Sequence, residues 1–378
     1  MRILLLNSDN LQDPIGGLGI VIQKLIKFWG PEHELDIIGF GGHDVKPAPN
    51  IHYKAVRHFD VPNVQFTTYR SLFVQSSLIA TALEFDGDPD LIVGCDWNTM
   101  CAARDIASFY EIPYIFWSHL SPSSYCVQDD FNNLIRIEEA LELQGVDMAD
   151  KILHVSESYS KRFPFNLYQD KVHVIRNGVE LEEFSYKGKN PYPYKDKFNV
   201  LFLGRPTKQK GIYPLIELEL PENVTLNFAL ANTKGLASIE NLVDIQKKCD
   251  DNPTQFSYLG DIRGKIKSNY LNHADALVIP SLSEPFGLVG LEGLASKTIV
   301  ISSMVEGLGD FLKENVAIKC VPTKEGILEA IKRAQSLSAE ERAIRTEKGY
   351  EVAKQHAWEK IVPQLKKFFV ENAENLNE

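Results

Sequence analysis

The chain has 378 residues, 44% of them hydrophobic and 24% charged, with a formal net charge of −11 at neutral pH. That length fills about two globular domains, and the balance is that of a folded chain rather than a disordered one. The acidic excess argues against an extended nucleic-acid footprint or a general attraction to anionic membranes, and no apolar run approaches the ~20 residues of a membrane span.

The N-terminus turns acidic too soon for a signal peptide. Residues 2–7 read instead as a first buried strand. A loop follows, with Ile15, Gly16, Gly17 and Gly19, and then a helix with Leu18, Val21, Ile22, Leu25, Ile26 and Trp29 on one face. Strand, glycine loop, helix is the layout of a phosphate-approach loop with bare amides. The dinucleotide fingerprint G-x-G-x-x-G is absent.

Short apolar strands then alternate with helical stretches, at 35–40, 51–56, 91–94, 114–117, 152–155 and 172–175. The alternation predicts a doubly wound parallel sheet, an α/β fold. Asp86-Gly87-Asp88 reads as a turn before a strand. Ligands in such sheets meet the carboxyl ends of the strands, which marks Cys95-Asp96-Trp97 and Ser118-His119. Ser156 is placed to cap the next helix. Asn177-Gly178 is a turn signal, and the Lys-, Tyr-, Pro- and Asn-rich stretch 184–197 reads as an interdomain linker. Five cysteines, Cys95, Cys101, Cys126, Cys249 and Cys320, are odd in number and lack zinc spacing. They read as free thiols in a reducing cytoplasm.

The second half repeats the pattern with strands at 199–203, 224–230, 256–259, 276–280 and 298–302. The first ends at Gly204-Arg205-Pro206-Thr207-Lys208-Gln209-Lys210-Gly211. Arg205 offers a planar fork and Lys210 a mobile point charge, both suited to a leaving diphosphate. The strand 276–280 runs into Ser283-Glu284-Pro285-Phe286-Gly287-Leu288-Val289-Gly290-Leu291-Glu292, where Leu288, Leu291 and Leu294 take up helical spacing. Amides of Phe286, Gly287 and Leu288 lie free at a helix start, a site for anions. Two carboxylates flanking that site, Glu284 and Glu292, suit the hydroxyls of a sugar and of a ribose on either side of a diphosphate. A last amphipathic helix opens at Ala357-Trp358 and carries Ile361, Leu365, Phe368 and Phe369, before a polar, frayed end from 371.

Glu-Pro-Phe-Gly-Leu-Val-x-Leu-Glu resembles the paired-glutamate motif of retaining glycosyltransferases with the two-domain GT-B fold, in the large family-4 group. Gly-Gly-Leu-Gly, Asp96-Trp97 and Gln209-Lys210-Gly211 are similar to motifs of glycogen and starch synthases. Many of those enzymes carry a lysine where Ile15 stands, and often a second glycine where Glu306 stands. Glu142, Ala149-Asp150, Val155-Ser156 and Asn177-Gly178-Val179 resemble the signature that closes the family's first domain.

The resemblance implies two Rossmann-like domains facing across a cleft. Residues 1–180 form the acceptor domain, 181–198 the linker and 199–356 the donor domain, and 357–378 is a helix crossing back to the first. It implies donor binding by Gly16, Gly17, Arg205, Lys210, Tyr258, Leu259, Glu284, Phe286, Gly287, Leu288, Val289 and Glu292, with Tyr258 and Leu259 at the base. His119 stands beside the transferred sugar, Asp96 and Trp97 on the acceptor side, and His119, Arg205, Lys210 and Glu284 are the candidate catalytic residues. The implied reaction moves a hexose, with glucose suggested by the glycogen-synthase-like motifs, from a UDP-, GDP- or ADP-sugar to an acceptor hydroxyl with retention. No metal or other cofactor is implied. The acceptor and the oligomeric state stay open. So do two alternatives: another GT-B chemistry such as a phosphorylase or nucleotide-sugar epimerase, and a catalytically silent binding module.

Overall fold

The structure is a computed structural model that describes residues 1–14, 16–56, 67–125, 133–231 and 236–375. Ile15 and Cys126 lie outside the described residues. The chain divides into two compact units, Met1–Asn177 with Trp358–Glu378, and Gly178–Ala357.

Unit 1 is built from β1 (Arg2–Leu6), α1 (Gly17–Phe28), β2 (Glu34–Phe40), β3 (Val45–Ala48), β4 (Ile51–Val56), α2 (Thr67–Ala82), β5 (Leu91–Cys95), α3 (Met100–Tyr110), β6 (Tyr114–Ser118), α4 (Asn133–Met148), β7 (Lys151–His154) and β8 (Val172–Val174). The eight strands run in the order β3-β4-β2-β1-β5-β6-β7-β8. All pair in parallel except β3, which runs antiparallel to β4. Parallel strands covered on both faces need apolar side chains on both, and β5 and β6 are buried at every position. Leu4, Leu6, Ile92, Ile106, Phe116, Ile152 and Phe165 pack into the core on one face.

Unit 2 contains β9 (Phe198–Gly204), α5 (Ile212–Ile216), β10 (Val224–Leu230), α6 (Leu236–Asp251), β11 (Phe256–Gly260), α7 (Gly264–His273), β12 (Ala276–Ile279), α8 (Leu288–Ala295), β13 (Ile299–Ser302), α9 (Glu306–Phe311), β14 (Ile318–Lys319), α10 (Lys324–Gln335) and α11 (Ala339–Gln355). Its sheet is parallel throughout, in the order β11-β10-β9-β12-β13-β14. The order reverses between β9 and β12, where Ala276 pairs with Val200 and Leu277 with Leu201. Such a switch point leaves a crevice beyond the carboxyl ends of the two strands. In unit 1 the reversal falls between β1 and β5.

α12 (Trp358–Asn375) packs on α1 in unit 1. Ile361, Val362, Leu365 and Phe369 are buried, Phe369 lies edge-on to Trp117, and Lys366 bonds the Trp29 carbonyl and Glu32. The helix continues past 371, where a frayed end was expected, because Ala373 is fully buried. Residues 185–197 pack within unit 2. Tyr192 is buried edge-on to Tyr270, and the Asn269 and Asn272 side chains bond backbone groups of Tyr186, Gly188 and Lys189. Among the described residues no helix is long and apolar enough to cross a membrane. The four described cysteines are free thiols.

Candidate functional site

The sequence-predicted residues fall into two groups, one in each unit. In unit 2 they sit at the switch point. β9 ends at Gly204 and β12 at Ile279, and the loops that follow are pressed together. Gly211 has φ +73°, and a Cβ there would lie 2.1 Å from the Pro280 carbonyl oxygen. Only glycine fits such an approach. The Leu282 amide donates to the Gln209 carbonyl at 2.8 Å and ties the same loops.

That contact places Lys210 Nζ 2.5 Å from Glu284 Oε2. Ser281 Oγ donates to the same oxygen at 3.3 Å. The Glu284 backbone is held on both sides, its amide by Glu306 Oε2 at 2.7 Å and its carbonyl by the Gly307 amide at 3.1 Å. Arg205 is half-buried, and its guanidinium has no partner among the described residues. Its five donors stay open to an anion.

After Glu284 the chain turns through Gly287 (φ +94°) into α8. Phe286 is buried against Phe311 and His356, at ring distances of 5.3 and 6.4 Å, so only its backbone faces the loop. The Phe286 and Gly287 amides donate to no protein acceptor among the described residues. Those of Leu288 and Val289 are first-turn amides, which a helix leaves without an internal acceptor. One turn further, Glu292 is buried. Its Oε1 meets Lys267 Nζ of α7 at 2.7 Å, and its Oε2 is buried without a partner among the described residues. Sequence spacing gave no sign of Lys267, since the pair joins two helices. Tyr258 is partly exposed and Leu259 half-buried at the end of β11. Two lysine–glutamate pairs thus bracket a set of unused backbone donors.

In unit 1, Asp96 follows β5 with φ +60°, a left-handed conformation rare outside glycine, asparagine and aspartate. Its Oδ1 accepts from the amides of His119 and Leu120 at 2.6 and 2.9 Å. The side chain therefore faces inward and fixes the loop after β6. Burial pushes its carboxyl up to about 7, against those two bonds. Trp97 is buried as well, so neither residue presents its side chain as an exposed acceptor contact. His119 lies against Trp117, its Nε2 buried without a partner among the described residues, and burial lowers its pKa to about 3. Beneath this loop, Glu142 is fully buried and accepts from Ser121 Oγ at 2.5 Å, and burial pushes its carboxyl well above the usual carboxylate range. Ser156 caps no long helix: its Oγ accepts the Tyr159 amide at 3.2 Å, at the start of a short 3-10 turn whose N-cap is Ser158.

The glycine loop differs from the expectation of bare amides. Asp9 Oδ2 accepts from the amides of Gly16 and Gly19, each at 3.1 Å. A carboxylate already occupies the start of α1 that the sequence reading left for a phosphate. Gly17 is the first residue of α1. Among the described residues no group of three or more His, Cys, Asp or Glu side chains is placed to hold a metal ion.

Residues 15–183 match the Glycosyltransferase Family 4 description and residues 187–352 the Glycosyl transferases group 1 description. An uncharacterized glycosyltransferase of Methanocaldococcus jannaschii is 26% identical over 338 residues, covering 84% of each chain. Among solved structures, sucrose-phosphate synthase from Thermosynechococcus elongatus superposes with a TM-score of 0.85 at 19% identity, over 98% of this chain and 99% of that one. The Anabaena HepE protein, solved in complex with UDP-glucose, gives 0.73 at 15% identity, over 98% and 100%. The two unit sheets are the two halves of a GT-B fold, and the chain belongs to the family-4 glycosyltransferases.

Proposed function

We propose that the chain transfers a hexose from a nucleoside-diphosphate sugar to an acceptor hydroxyl with retention of anomeric configuration. The observation that carries this reading is the switch-point group of unit 2. A guanidinium and amides without partners among the described residues stand, with Lys210, between two carboxylates. Anion donors flanked by hydroxyl acceptors match a diphosphate between a sugar and a ribose. HepE, of the same fold, was solved with UDP-glucose, which supports a UDP-hexose as the first donor to test.

In this reading Arg205, Lys210 and the amides of Phe286 to Val289 hold the diphosphate. Their charge matters most as the bond between C1 and the leaving oxygen breaks, because negative charge then builds on the leaving group. The two cations take over the charge neutralisation that a metal ion supplies elsewhere. Glu284 takes hydroxyls of the transferred sugar, and Glu292 Oε2 a ribose hydroxyl. Tyr258 and Leu259 give backbone groups to the base. In unit 1, Asp96 sets the loop that carries His119, which burial keeps neutral. The acceptor oxygen attacks C1 on the face that the diphosphate leaves, and its proton passes to the departing phosphate oxygen. Trapping of a covalent glycosyl-enzyme would refute that front-face route.

The test is release of free nucleotide from UDP-, GDP- and ADP-sugars, with Glu284→Ala and Arg205→Ala alongside. Slow hydrolysis of one donor, lost in both variants, is the expected result. No release and no donor binding across the panel would refute the reading.

A further inference from the structure

A third carboxylate stands behind the first of the pair. Glu306 opens α9 with φ +46°, two residues after Met304 at φ +54°. Both are in the left-handed region, which costs a side chain with a Cβ stability that glycine keeps. The sequence therefore spends backbone strain at a position whose geometry glycine fits without penalty. Strain of this kind persists where surrounding bonds over-determine it.

The surrounding bonds are specific. Glu306 Oε2 accepts the Glu284 amide at 2.7 Å and Ser283 Oγ at 2.8 Å. Gly307 donates to the Glu284 carbonyl, and a Cβ on Gly307 would fall 2.0 Å from the Pro285 carbonyl oxygen. Ser303 adds two more ties, from its amide to Ile279 and from its hydroxyl to Ser281. The loop after β13 thus grips the loop after β12 along its length. Of these ties, Glu306 alone holds the amide of Glu284 by a side chain. A bond from an amide to a carboxylate is stronger than one between neutral groups.

We propose that Glu306 is a positioning residue for Glu284. By holding the amide, it fixes the side chain against Lys210 and leaves Glu284 one orientation toward the donor. This rests on the donor-site reading above and adds a residue that does not itself touch the donor. A glycine at 306 would relieve the backbone and lose the grip, so stability and turnover separate.

The test compares Glu306→Gly, Glu306→Gln and Ser283→Ala by thermal melting, hydrogen exchange at the Glu284 amide, and kcat and KM for donor hydrolysis. In Glu306→Gly the melting point should hold within a few degrees. Exchange at Glu284 should quicken, and kcat should fall, each by roughly tenfold or more for the loss of one charge-assisted bond. KM should move less, and exchange in β12 should not change. Glu306→Gln keeps an acceptor oxygen and should recover most of both losses, and Ser283→Ala should fall between. Unchanged exchange at Glu284 in Glu306→Gly would overturn the proposal, as would equal losses of melting point and turnover in the Gly and Gln variants. If the unaltered chain hydrolyses no donor, the donor reading fails, and exchange at the Glu284 amide still decides the grip.

Discussion

Lys210 Nζ lies 2.5 Å from Glu284 Oε2, so a cation from the loop after β9 and a carboxylate from the loop after β12 hold each other at the switch point of unit 2. The pair is partly open to solvent and is worth about 1 kcal/mol or less to stability. Its cation is worth far more if it meets a leaving diphosphate. Lys210→Met should lower nucleotide release ~100-fold or more while the melting curve moves little. Equal, small changes in both would remove Lys210 from the chemistry.

Gly211→Ala tests the junction of the same loops. The added Cβ would fall 2.1 Å from a backbone oxygen that cannot rotate away, at φ +73°. Strain and overpacking together should cost about 2–4 kcal/mol. The loops should also part, so turnover should fall further than stability predicts. A melt and a rate measured on one preparation check both.

Glu292→Gln separates binding from chemistry. Lys267 takes one oxygen of Glu292, and the other is buried without a partner among the described residues. If that oxygen serves the ribose, the variant should raise donor KM about tenfold with kcat nearly kept, the pattern of uniform binding. The free nucleoside diphosphate should lose affinity by a similar factor, readable by calorimetry.

Asp96 gives unit 1 a pH dependence whose sign is fixed. Its folded pKa, raised to about 7 by burial, exceeds the ordinary aspartate value of about 4. Its contribution is present in full below pH ~4 and is lost as pH rises to ~7, by up to ~1.4 kcal/mol per unit. His119 runs the other way. With a folded pKa of about 3, its share is full above pH ~6.5 and is lost as pH falls. Asp96→Asn keeps an acceptor oxygen for the His119 and Leu120 amides and no longer titrates. The excess melting temperature of the unaltered chain over this variant should shrink between pH 4.5 and 7.5. His119 is common to both and cancels.

The strands were legible because parallel strands buried on both faces need runs of apolar residues, as in β5 and β6. β3 and β14 were not read, being a half-exposed edge strand and a two-residue strand. α11 leaves little trace in the sequence, since it buries only Gly349 and Ala353, too few for a strong apolar stripe. At the site, residue chemistry and the motif resemblance together marked Glu284, Glu292, Arg205 and Lys210. What they left out were the partners: Asp9 on the glycine-loop amides, Lys267 on Glu292, and Glu306 on Glu284. Each joins residues from different elements, and a hydrogen bond across a loop leaves no period in a sequence. Glu306 was visible as a departure from glycine, but its purpose was visible only in three dimensions.

α12 belongs to unit 1 although all of unit 2 precedes it in the chain. It supplies the buried faces of Trp358, Ile361, Leu365 and Phe369 and the ring that meets Trp117. A ribosome therefore delivers every strand of unit 1 long before the helix that seals it. During that interval Trp117 and the inner face of α1 lack their cover, while unit 2 is contiguous and has all its parts. Assembly of the first-made unit is the last to finish, and a growing chain must keep that apolar surface from other chains until residues 358–375 emerge.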